Sequence, residues 1–243
     1  MEWQAPAVIL HVCAYGEGDA LATLLTAEHG AWRGLARGGL SRAKAATWQA
    51  GNLVEARWVA RLTDQLGSFT GDLAEPVAAA ALSDPWRLAV LSAALAITCA
   101  ALPEREPHPR VLAGLLRVLA HLPLAMGAAA ELVRFETILL GELGFGLDLS
   151  ACAVSGAREN LAYVSPRTGR AVARDAAGEF RDRLLVLPEF VLAPDAPASP
   201  ADLAAGLRLT GHFLARDLFG LQHKPVPAAR TALADRFDAL HSS

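Results

Sequence analysis

Six cations, Arg33, Arg37, Arg42, Lys44, Arg57 and Arg61, fall within residues 30–61 of a 243-residue chain, and Glu55 is the one acid among them. Trp32, Trp48 and Trp58 are interleaved with these charges. Guanidinium and ammonium groups can follow a phosphate backbone, and indole rings offer flat faces for bases, which together are the requirements for binding single-stranded nucleic acid. The same residues also fit a solvated loop whose tryptophans point into a core. Alternation along a strand would place Arg57, Val59 and Arg61 on one face and Trp58 on the other, and would part Trp32 from Arg33 in the same way. The middle of the stretch, Arg37 to Lys44, reads as a flexible basic loop between two strand-like runs.

Away from this patch the chain is slightly acidic, with a net charge of −3, so any nucleic-acid site must be local rather than a property of the whole surface. Other chemistries find little support. No G-x-S-x-G elbow is present, Leu40-Ser41-Arg42 is not a strained strand-to-helix turn, and neither Gly16-Glu17-Gly18 nor Arg37-Gly38-Gly39 has the spacing of a P-loop. The seven histidines show no H-x-x-x-H or H-E-x-x-H pairing. A binding protein is therefore expected, with no catalytic residues, no cofactor and no metal. Cys13, Cys99 and Cys152 are widely spaced without a CxxC, which points to free thiols in a reducing compartment. The start, Met1-Glu2-Trp3-Gln4, lacks the basic region of a secretory signal. The uncharged run from Leu88 to Leu102 is interrupted only after too few residues to span a bilayer, which takes roughly 18, so a cytoplasmic protein without membrane contact is expected.

The elements that must position the patch follow from the texture of the chain. A short apolar run at Ala7–Val12 and short segments at Leu21–Thr26, Ala31–Ala36, Leu53–Ala60 and Gly67–Leu73, each bounded by turn residues, make five strands in about 75 residues, the arithmetic of an OB-fold barrel. Glu75-Pro76 closes that unit. Long Ala/Leu stretches follow, so an N-terminal barrel domain, 1–76, precedes a mainly helical domain, 77–243, in an α+β chain. Asp84-Pro85-Trp86 reads as a helix N-cap with proline in the first turn, and that helix runs to about Ala101. Further helices are expected from Pro107-His108-Pro109 to near Pro123, over Ala128–Leu143 with Leu132, Phe135, Leu139 and Leu143 inward, over Phe180–Phe190, over Ala201–Phe219 and over Ala228–Leu240. Between about 145 and 178 the helical pattern breaks, and Leu161–Val164 can pair with Gly169–Val172 as a hairpin in a small inserted knuckle.

Together the Gly16-Glu17-Gly18-Asp19 loop, Leu25 to Gly30, Leu35 to Gly39, Glu136 to Leu149 and Leu214 to Gly220 resemble, in order and spacing over nearly the whole chain, the bacterial recombination mediator family RecO. The segment from Cys152 to Val172 is similar to alphaproteobacterial members. The resemblance implies an OB domain followed by a helical domain with a knuckle. It also implies binding of single- and double-stranded DNA, annealing of complementary strands, and action with the partner RecR to load the recombinase RecA onto DNA coated by single-stranded DNA-binding protein, in a nucleoid-associated setting. Some members hold zinc through a CxxC pair on each side of the hairpin. Here Cys152 occupies the first such position, Ser155 the second, and no cysteine follows, so the knuckle is expected to persist without metal on Leu147, Leu149, Val154, Leu161, Tyr163 and Val172. The family also engages the acidic, aromatic-ended tail of single-stranded DNA-binding protein, and an apolar pocket rimmed by Arg134, Arg208 and Arg216 beside Leu207 and Phe213 is the expected receptor. The alternative function is a protein-interaction scaffold whose OB domain is degenerate.

Overall fold

The computed structural model describes residues 1–62, 65–193 and 195–241, with the backbone alone at 241. Five strands, β1 (Glu2–Tyr15), β2 (Asp19–Thr26), β3 (Gly30–Ala36), β4 (Leu53–Val59) and β5 (Ser68–Glu75), close a barrel in the order β1-β2-β3-β5-β4. This is an OB-fold. The first strand is longer than its apolar run suggested, because it serves two neighbours. Its first half pairs with β4 from Glu2↔Val59 to Val8↔Leu53, and its second half pairs with β2 from Val8↔Leu25 to Tyr15↔Asp19, with an irregularity between Ile9 and His11 where it turns the corner. Polar residues at its ends are held there by ladder hydrogen bonds, which hydrophobicity does not report.

Alternation fills the barrel. In β4, Val54, Ala56 and Trp58 point inward while Glu55, Arg57 and Val59 are exposed. Small residues such as Ala20, Ala22 and Ala56 leave room for Trp32, Trp58 and Phe69 in one aromatic core. Trp32 and Trp58 meet edge to face at 4.9 Å, a favoured geometry for ring quadrupoles.

Helices α1 (Val77–Leu82), α2 (Pro85–Ala101) and α3 (Pro109–His121) complete the first compact unit, Met1–Pro123. The Asp84 carboxylate accepts from the backbone N–H groups of Trp86 and Arg87, and Pro85 occupies the first turn, as the sequence signature implied. α2 packs on β1, and α3 on β2. Although strands give way to helices at Pro76, compactness changes at Pro123 instead, because these first helices cover the barrel.

The second unit, Leu124–Ser243, holds α4 (Ala125–Glu142), the strands β6 (Leu161–Val164), β7 (Ala171–Ala173) and β8 (Leu185–Val186), and the helices α5 (Glu189–Leu192), α6 (Pro200–Phe213) and α7 (Ala228–His241). Leu132, Phe135 and Leu139 of α4 are buried as their spacing required. Two expectations fail locally. The helix expected over Phe180–Phe190 is a 3-10 turn at Gly178–Arg183, then β8, then α5: Leu185 and Val186 pair with Val164 and Tyr163, and Pro188 cannot donate to a continuing helix. The helix expected over Ala201–Phe219 is α-helical only to Phe213 and widens to a π turn at Leu214–Leu218. Beyond it Gly220 runs so close to Ala215 that an added Cβ would sit 2.4 Å from the Ala215 carbonyl oxygen.

A buried ion pair ties three helices together. Arg230 on α7 donates to Glu136 on α4 from Nε at 2.5 Å and from Nη2 at 2.9 Å, and also to the Leu207 carbonyl and the Thr210 hydroxyl on α6. The two side chains are 2% and 0% exposed, so every lone pair and N–H must be answered inside the protein.

Candidate nucleic-acid interface

The loop joining β3 to β4 carries the centre of the basic stretch, and it is anchored rather than flexible. Gly38 N–H donates to the Asp19 carboxylate at 2.6 Å, Leu40 N–H to the Gly18 carbonyl at 3.0 Å, and Lys44 Nζ to the Arg37 carbonyl at 3.1 Å. At its far end the buried Asn52 amide donates to the Ala46 and Thr47 carbonyls and accepts from Ala78 N–H. Trp48, 4% exposed, fastens the loop to the barrel beside Phe69 and Gly71. Gly38, at φ +63°, lets the chain reverse directly after Arg37.

Anchoring brings Arg37 and Lys44 over the outer surface of β1, β4 and β5, where they line a cleft of about 440 Å³ with Arg57, Gln4, Thr47 and Thr70. Strand register explains the floor: Gln4, Arg57 and Thr70 form one row across the three strands, and Glu55 faces Asp72 in the next row. Of the six cations expected to meet nucleic acid, the structure therefore gathers Arg37, Lys44 and Arg57. Arg33, Arg42 and Arg61 are exposed but do not line the cleft.

One sequence expectation needs correction, and one open reading closes. The patch is not isolated from acids, because folding brings Glu104 to within 3.3 Å of Arg33 and Glu2 to within 2.7 Å of Arg57. The interleaved tryptophans take the core reading, Trp58 as alternation along β4 implied: Trp32, Trp48 and Trp58 are 7%, 4% and 1% exposed. Next to β3, the surface around Ala31 is covered by the segment joining α2 to α3. Arg105 N–H donates to the Ala31 carbonyl at 2.7 Å, its guanidinium lies 4.6 Å from the Trp32 ring centre, and Gly30 meets the Glu106 backbone so closely that no side chain would fit. Gln4 and Thr70 carry no signal in the sequence, because only pairing register places them beside Arg57.

In the second unit the expected tail pocket is not assembled. Leu207 and Phe213 are each 1% exposed within the core. Arg134 pairs with Glu131 at 2.5 Å, donates to the Phe190 carbonyl at 2.9 Å and covers the Phe190 ring. Arg208 pairs with Asp238. Arg216 holds Asp217 through two bonds of 2.7 Å and donates to the Pro166 carbonyl, and the Asp217 carboxylate raises the pKa of its guanidinium. A neighbouring groove of about 390 Å³, lined by Leu161, Leu187 and Leu192, carries Arg158 and Arg174 instead, neither with an ion-pair partner among the described residues.

The knuckle does not fit a zinc ion. Its one thiol, Cys152, accepts from the backbone N–H groups of Ala173 at 3.2 Å and of Val154 and Ser155 at 3.4 Å. Burial pushes this thiol up, but those donors and the Ser155 side chain outweigh it and bring the pKa down to about 6. Among the described residues no group of three or more His, Cys, Asp or Glu could hold a metal ion. The core of the knuckle is Cys152, Ala162, Tyr163, Val172, Ala173 and Ala177, with Leu161 against it; Val154, expected inside, is 70% exposed. Among the described residues no helix is long and apolar enough to cross a membrane.

Comparison with known proteins bears on the whole chain. Residues 1–77 match the family model for the recombination protein O N terminal, and residues 82–225 that for its C terminal. The DNA repair protein RecO of Acidiphilium cryptum is 58% identical over 239 residues, covering 97% of this chain and 95% of that protein. That of Gluconacetobacter diazotrophicus is 52% identical over 245 residues, covering 99% and 96%. That of Rhodospirillum centenum is 48% identical over 245 residues, covering 100% and 97%. With both halves matched in order and relatives aligned from end to end, the chain belongs to the RecO family.

Proposed function

We propose that the protein is a DNA repair and recombination mediator that binds single- and double-stranded DNA in the cleft of its barrel. It anneals complementary strands and, with RecR, helps load RecA onto DNA coated by single-stranded DNA-binding protein, acting by binding rather than catalysis and in association with the nucleoid. The observation that carries this is the convergence of Arg37, Lys44 and Arg57 on one cleft, from a pinned loop and a strand of an OB barrel. Cations on a fixed frame can bind phosphates without the cost of ordering the loop at each encounter. The name borne by the relatives, DNA repair protein RecO, supports the setting.

The acidic tail of single-stranded DNA-binding protein remains part of the proposal, at a shifted address. A receptor needs an apolar floor and arginines able to pair with carboxylates, and the groove between Arg158 and Arg174 offers both, with Glu189 also on its lining, whereas Leu207 and Phe213 beside Arg208 and Arg216 are buried in the core. A scaffold role with a degenerate OB domain is favoured by one observation, the burial of Trp32, Trp48 and Trp58. Annealing of complementary fluorescent oligonucleotides separates the two. Replacing Arg37, Lys44 and Arg57 together by glutamine is expected to slow annealing sharply while the fold is kept; annealing by that variant at the wild-type rate would support the scaffold.

A further inference from the structure

The cleft contains two groups that phosphate binding does not explain. Glu55 and Asp72 face each other across β4 and β5, both exposed on its floor, and neither has a hydrogen-bond or ion-pair partner among the described residues. Like charges directly opposite weaken a sheet, and both carboxylates repel a bound phosphate. In the free protein water satisfies both carboxylates, but a strand held in the cleft displaces that water, so their position favours a ligand that brings a donor to them. The three cations occupy the adjoining row and the overhanging loop: Arg57 lies two residues from Glu55 on the same face of β4, about 7 Å along the strand, an offset on the scale of one nucleotide of an extended chain. With phosphates held by Arg37, Lys44 and Arg57, the base attached to them can reach the carboxylates.

We propose that Glu55 and Asp72 determine specificity in the cleft by accepting hydrogen bonds from the amino group on the Watson–Crick edge of an unpaired base. Carboxylates accept from cytosine N4, and the amino groups of adenine and guanine are donors of the same kind. Thymine has no amino group, and its one N3–H is flanked by two carbonyl oxygens that a carboxylate repels. In a duplex the pairing edge is already used. The cleft thus favours unpaired strands rich in amino-bearing bases over oligo-thymidine and over duplex, a preference suited to a protein that meets strands before they pair. This deepens the DNA-binding proposal above and rests on it.

The test compares oligo-dC with oligo-dT, two pyrimidine strands that differ chiefly in that exocyclic group, at mildly alkaline pH to keep cytosine unprotonated. Fluorescence anisotropy is measured for wild type and for Glu55→Ala/Asp72→Ala, surface changes that remove both acceptors together with a like-charge contact and so preserve the barrel. Wild type is expected to bind oligo-dC at least about fivefold more tightly than oligo-dT, the lower end of what one good base contact discriminates. The variant is expected to lose that ratio while binding oligo-dT more tightly. Equal affinities in wild type, or a ratio that survives in the variant, would overturn the base-reading proposal. The Arg37→Gln/Lys44→Gln variant keeps the two failures apart: if it binds both strands as wild type does, the cleft is not the DNA site and both proposals fall, whereas if it binds weakly and no dC preference exists, only the base-reading proposal falls.

Discussion

At the scale of single residues, some groups on which this fold depends lie outside the basic stretch that dominates the sequence. Cys152 is an example. Its thiol titrates at about 6 in the folded protein, against roughly 8.5 in an unfolded chain, because backbone N–H donors favour the thiolate. A folded pKa below the unfolded one adds stability that is fully present above the unfolded value and is lost as pH falls through the folded one. The melting temperature of wild type relative to Cys152→Ser is therefore expected to rise between about pH 6 and 8.5; parallel profiles for the two proteins would refute this. Glu136 and Arg230 make the same point with full charges. Arg230→Met should destabilise by about 3–5 kcal/mol in urea unfolding, since it strands a buried carboxylate, while adding Glu136→Leu should recover much of the loss. An unchanged midpoint in the single variant would mean that the pair is not buried in solution. Neither role was legible in the sequence. Glu136 sits among the apolar residues of α4, and its partner lies 94 positions away on α7.

At the scale of elements, several signals local to a few residues specify the structure correctly, although those over Phe180–Phe190 and beyond Phe213 do not, and what depends on pairing is hidden from them. The strand alternation of β4 sent Trp58 inward and Arg57 outward, and Asp84-Pro85 started α2. Those signals lie within a few residues of the structure they specify. By contrast, Glu2 and Glu104 form exposed ion pairs with Arg57 and Arg33 from positions 55 and 71 residues distant, so a patch free of acids along the chain is not free of them in space. The β3–β4 loop shows the same limit, since glycine and polar content suggested flexibility while Asn52, Asp19 and Trp48 hold it in place. That anchoring can be tested apart from charge. Trp48→Ala should cost about 3–5 kcal/mol, as other buried tryptophan truncations do, and should weaken DNA binding although every cation remains. Wild-type affinity in a folded Trp48→Ala protein would show that loop placement does not matter.

At the scale of the whole molecule, a chain of net charge −3 cannot hold DNA by its overall field, so the grip proposed above must come from a few cations placed together. Among the six candidates, folding gathers Arg37, Lys44 and Arg57 in the cleft and leaves Arg33, Arg42 and Arg61 outside it. The most direct measurement is the affinity for fluorescent single-stranded DNA across a range of salt concentrations, for wild type and for two triple glutamine variants, one at each set of three. Removing one cation that neutralises a phosphate should flatten the plot of log affinity against log salt by about 0.7 for single strands. The variant at Arg37, Lys44 and Arg57 is expected to bind more weakly with a slope flatter by about 2, while the variant at Arg33, Arg42 and Arg61 stays close to wild type. Equal weakening from both sets, or an unchanged slope after removal of the cleft cations, would contradict the assignment of the cleft as the site where this protein holds DNA.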